Sequence, residues 1–110
     1  MPKYLVSSKY PPDAAAKVRE AGYASREKAV TGLFASLGGT CESVWFTTGD
    51  WSVHIIADLP TEAAAFAADS VAWASGTSGT SERLVVRPLF TAEEADAAIA
   101  AKVDYTPPGS

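Results

Sequence analysis

The stretch from Cys41 to Asp58, CESVWFTTGDWSVHIIAD, restricts the fold more than any other part of the chain. Two apolar runs rich in β-branched and aromatic residues flank Thr-Gly-Asp, and a glycine at the first central position suits a two-residue hairpin turn. With Gly49-Asp50 as that turn, Phe46 lies opposite Val53, Val44 opposite Ile55, and Trp45 opposite His54. Side chains alternate along a strand. One face therefore carries Val44, Phe46, Trp51, Val53, Ile55 and Ala57. The other carries Cys41, Ser43, Trp45, Thr47, Ser52, His54, Ile56 and Asp58. A one-residue slip pairs Phe46 with Ser52 and scatters the apolar set, so the stated register is expected. The first face reads as core, the second as mixed.

Around this hairpin the remaining elements follow from local signals. Residues 3–9 (KYLVSSK) read as a strand with Leu5 and Ser7 on one side and Tyr4, Val6 and Ser8 on the other; which side meets the helices is open. Pro11-Pro12 ends it and starts a helix over 13–21, closed by Gly22. Ser25 caps a second helix over 26–37, whose Val30, Leu33, Phe34 and Leu37 form an apolar stripe. A helix over 61–74 is expected to turn Phe66, Ala67, Val71 and Ala74 to the sheet and Glu62 and Asp69 outward. The polar run 76–81 (GTSGTS) reads as a linker and lacks the Gly-Lys-Ser/Thr of a phosphate loop.

Residues 83–90 form the last strand, with Pro88 marking an edge position or the strand's end. Leu84 and Val86 are assigned to the core, which places Arg83, Val85, Arg87 and Leu89 on the face of His54. Thr91-Ala-Glu-Glu94 is a capping box opening a final helix to about residue 103. Its acidic residues read as a helix start and a solvated face, and 104–110 as a tail.

Strand, broken helix, strand, strand, helix, strand and an added helix make an α+β chain of the split βαβ, ferredoxin-like kind (βαββαβ plus a C-terminal helix), a single domain over 1–103. Such a sheet has helices on one face only. The other face, with Trp45, Ile56, Val85 and Leu89, is too apolar to stay bare. A second copy covering it gives a two-fold homodimer with a cavity between the sheets.

Composition narrows the function classes. A net charge of -4 argues against nucleic acid and anionic membrane surfaces as partners. With one cysteine there is no internal disulfide and no Cys-rich zinc site. MPKYLV is no signal peptide and no apolar run reaches membrane-spanning length, so a cytoplasmic location is expected. The absence of Asn and Gln leaves Ser, Thr, Tyr, His, Arg, Lys and backbone for polar recognition.

The segments PKYLVSSKYPPDAAAKVREAG, SREKAVTGLFASLGGTCESVWFTTGDWSVHIIADLP and LVVRPLFTAEEADAAIAA resemble the GYD-domain family of small bacterial proteins over nearly the whole chain. That family's hairpin turn reads roughly Gly-Asp/Glu-Tyr-Asp. Here it stands as Gly49-Asp50-Trp51-Ser52, with Trp for the Tyr and Ser for the last Asp. The resemblance implies a ferredoxin-like, dimeric α+β-barrel fold, and it implies no agreed activity.

Among individual residues His54 is the leading catalytic candidate, because an imidazole titrates near neutrality. With Arg87 holding an oxyanion across the sheet, His54 would move a proton to or from a phenol or enol. The competing reading is a histidine hydrogen-bonded across a dimer interface. Trp45 either stacks on a flat ligand or anchors the interface. Arg87 either binds an anion or pairs with Asp58 or Glu82. Tyr23 either lines a pocket mouth or covers core. Ile56 and Val85 complete the expected substrate-binding wall. Cys41 reads as a small buried side chain, too distant from His54 for a dyad. One imidazole and no ligand cluster give no metal site, and no cofactor is expected.

The resulting expectation is a homodimer holding a small, flat, aromatic or polyketide-like molecule between its sheets. Such a protein acts either as a cofactor-independent enzyme of isomerase, cyclase or monooxygenase type, or as a non-catalytic ligand-binding or protein-interaction module.

Overall fold

The computed structural model describes residues 1–74, 82–102 and 104–109. Its elements run β1 (Lys3–Lys9), α1 (Pro12–Ala21), α2 (Tyr23–Ser36), β2 (Thr40–Phe46), β3 (Val53–Asp58), α3 (Glu62–Ala74), β4 (Arg83–Leu89) and α4 (Ala92–Ile99). The four strands form one antiparallel sheet in the order β2-β3-β1-β4. The expected linker 76–81 lies outside the described residues.

The hairpin has the register read from its apolar parity: Val44 faces Ile55, Trp45 faces His54 and Phe46 faces Val53. Gly49 at φ +90° supplies the left-handed turn residue. Further from the turn a bulge interrupts the ladder between Cys41 and Ser43, so that Ser43 pairs with Ile56 but Cys41 with Ala57. The extra residue reverses the alternation. Cys41 therefore packs against the core rather than standing on the face of Ser43 and Trp45.

Alternation also fails at the other end of β3. Trp51 and Ser52 precede the regular ladder, and Ser52 turns inward: its N–H donates to Ser8 O (2.8 Å) and its hydroxyl accepts from the Tyr10 N–H (3.0 Å). Trp51 lies beside His54 instead of in the core.

Tyr4 and Val6 of β1, with Val53, Ile55, Ala57 and the following Leu59, form the helix-facing side of the sheet. Against them pack Ala14 and Val18 of α1, Val30 and Phe34 of α2, and Ala65 and Ala68 of α3. Leu84 and Val86 join this core from β4 as expected. β4 lies at the sheet edge, where its proline costs no ladder in the sheet interior.

Three helix assignments differ from the sequence reading. α2 begins at Tyr23, directly after Gly22, so Ser25 lies inside its first turn and is not its cap. α3 buries Ala65 and Ala68, while Phe66 is 74% and Val71 51% exposed. A flat alanine stripe lets the helix approach the sheet closely and leaves Phe66 outside, while Val71 stands at the flank of the stripe and lines a cavity with Val53 and Ile55. α4 has the expected capping box, with Thr91 N–H donating to Glu94 Oε1 (2.8 Å) and Glu94 N–H to Thr91 Oγ1 (3.1 Å), but it ends at Ile99 and buries no residue.

Gly39 fixes how closely the chain entering β2 approaches the end of β3. A Cβ built there would fall 2.3 Å from the Asp58 carbonyl oxygen, so no larger residue fits without moving backbone.

Candidate functional site

The face of the sheet opposite the described helices is ordered in rows by the strand registers. Trp45, His54, Ser7 and Val85 cross the four strands as one row, and Ser43, Ile56, Leu5 and Arg87 form the next. Beyond them Lys3 and Leu89 lie level with Asp58. Trp45, Ile56, Val85, Arg87 and His54 therefore share one face, as their parity predicts.

His54 occupies the middle of this face on an interior strand. Its Nδ1 lies 2.7 Å from Ser7 Oγ, a side chain with no exposed surface. This bond leaves Nε2 as the ring atom available to anything above the sheet. The Trp51 ring packs near it at a centroid distance of 6.3 Å, and the Arg83 guanidinium lies 5.2 Å from the centre of the Trp51 ring. Trp45, next to His54 on the edge strand, is 65% exposed.

Arg87 does not stand across from His54. Val85 occupies that place, and Arg87 is two strands away and one row along, a Cα separation of about 12 Å from strand spacings. The cation that the fold brings toward His54 is Arg83, through Trp51. Nor does Arg87 pair with Asp58 or Glu82: Asp58 accepts from Lys3, whose ammonium also binds Glu42, and no ion pair of Arg87 occurs among the described residues. The Glu42 carboxylate holds the Lys3 pKa above its usual value of 10.5, with Asp58 assisting.

Tyr23 lies elsewhere. It packs edge-on against Phe46, with ring centroids 5.0 Å apart, on the helix side of the hairpin. Half-exposed, it lines a pocket with Tyr10, Thr47 and Trp51 at the turn end of the hairpin, and His54 is not among that pocket's lining residues.

Two further residues escaped the sequence reading. Between α2, α3 and the sheet lies a cavity of about 200 Å³, lined by apolar side chains with Arg26, Tyr10 and Ser8 among them. Arg26 Nε donates to Tyr10 Oη at 3.4 Å, and the guanidinium sits 5.6 Å from the centre of the Tyr10 ring. Their signals were present: Arg26 is four residues before Val30 and extends the buried stripe of α2, and Tyr10 continues the parity of Tyr4, Val6 and Ser8.

Burial raises the Cys41 thiol above its usual pKa, and the thiol is no activated nucleophile. No cluster of three potential metal ligands occurs among the described residues. No helix among them is long and apolar enough to cross a membrane.

Four antiparallel strands with helices on one face, and a histidine fixed on the other, define a small α+β domain with two chemically distinct sides. A family profile described as the GYD domain matches residues 4–99. The chain belongs to the GYD-domain family. No curated protein and no solved structure matches it.

Proposed function

We propose that this protein is a small-molecule-binding homodimer with a ferredoxin-like fold. In it the helix-free faces of two copies oppose each other as a dimeric α+β barrel and enclose a flat ligand beside His54. The observation carrying this reading is the content of that face. Trp45, Leu5, Ile56 and Val85 share one face with a hydrogen-bonded histidine, and Leu89 extends the apolar surface further along it, on the side of the sheet that none of the described helices covers. An apolar sheet face of this extent is stabilised by a cover, and the strand order β2-β3-β1-β4 supports the fold assignment.

The Ser7 bond favours catalysis as a second reading. A ring fixed through Nδ1 presents Nε2 in a defined direction, which suits general acid/base work on a phenol or enol. Arg87 enters such a site only if the substrate spans both rows, or if the partner copy supplies it.

Native mass spectrometry of gently purified protein tests the proposal. A dimer carrying additional small-molecule mass is the expected result. A bare monomer would overturn it, since the covered face and its ligand would then both be missing.

A further inference from the structure

On the opposite side of the sheet from His54, the cavity beneath α2 and α3 forms within one copy and owes nothing to pairing of the sheets. We propose that it is a second binding site, and that its ligand is a compact apolar carboxylate anchored by Arg26.

Size sets the first limit. An engineered protein cavity of roughly 150 Å³ holds benzene, so about 200 Å³ accommodates one ring or a short chain together with a head group. The walls select the body of the ligand: Val30, Phe34, Val53, Ile55 and Leu84 offer hydrocarbon only. The head group follows from charge. Arg26 is the one charged residue among those lining the cavity, and no carboxylate pairs with it among the described residues. A guanidinium presents a planar fork of donors that matches a carboxylate. Tyr10 holds the guanidinium at the cavity wall through its hydroxyl and its ring face, so the anchor is oriented before a ligand arrives. Arg26 is half-buried, so the pairing is less screened than on an open surface.

Octanoate and octan-1-ol, which share a chain and differ in the head group, are the probes. Titration of the intact protein by calorimetry, with side-chain methyl NMR, is expected to show saturable octanoate binding that shifts Val30, Ile55 and Leu84. Octanol should bind about tenfold more weakly or worse, the loss of a charge-assisted contact. In Arg26→Met the acid should lose its advantage over the alcohol while the alcohol's own affinity stays within a factor of about two. Equal affinity of wild type for acid and alcohol would overturn the assigned ligand class. Absence of any binding, or shifts at Ile56 and Val85 that Trp45→Ala abolishes and Arg26→Met does not, would overturn the site. None of these readouts depends on dimerisation, so failure here leaves the paired-sheet reading standing, and the reverse.

Discussion

Ser7 Oγ and His54 Nδ1 lie 2.7 Å apart across the β1–β3 pairing, and Ser7 is completely buried. A serine in the sheet interior is thereby satisfied, and a histidine above it is held in one orientation. Replacing Ser7 by Ala removes the bond and leaves the imidazole nitrogen without its partner. A loss of about 1–2 kcal/mol is expected in urea unfolding, together with mixing of ring tautomers in long-range nitrogen–proton NMR spectra of His54.

Trp45 projects from the helix-free face next to that histidine. Trp45→Asp puts a charge into the proposed interface and should shift the protein to monomer in sedimentation velocity, with far-UV circular dichroism unchanged. A dimer that survives the substitution would move the contact to another surface.

Two glycines make an opposed pair. Gly39→Ala forces a Cβ against the Asp58 carbonyl and is expected to cost about 2–4 kcal/mol. Gly32→Ala, inside α2 with nothing within 4 Å of the added carbon, is expected to stabilise by about 0.5–1 kcal/mol. Thermal denaturation of the two variants should show shifts of opposite sign.

The capping box of α4 carries a pH dependence. Hydrogen bonds from the Thr91 backbone and side chain hold the Glu94 carboxyl below its usual pKa of 4.5. A depressed folded value means that the cap's contribution is complete above 4.5 and is lost as pH falls through the lowered value. Protection factors of the amides across 92–99, taken against their intrinsic exchange rates at each pH, should therefore fall on acidification before those of the sheet, and Thr91→Ala should lower them already at neutral pH.

Much of this architecture was legible because the hairpin states its own register. A one-residue slip would turn Val44 and Phe46 away from Val53 and Ile55, and the glycine turn at Gly49 fixes the alignment among those that remain. The bulge was not legible, since Cys-Glu-Ser contains no glycine or proline to announce it, and with it went the facing of Cys41. β1 was ambiguous because Leu5-Ser7 and Tyr4-Val6-Ser8 are similarly apolar, so the partner of His54 stayed hidden. Phe66 was misplaced on α3 because alanines carry little periodic signal beside it, whereas Val71 does line the cavity against the sheet. Arg87 was placed too near His54 because the β1–β4 register is a long-range pairing that no local residue specifies.

Both margins of the sheet resist growth. On β2 the displaced residue between Cys41 and Ser43 breaks the row of backbone donors and acceptors that an incoming strand would read. On β4 Pro88 offers no N–H at all. Strand addition, the usual route by which an open β-sheet recruits a peptide or polymerises, is blunted at each margin. Contact between copies by strand pairing is thereby disfavoured relative to contact through the broad faces, and an edge-to-edge fibre is the least favoured assembly.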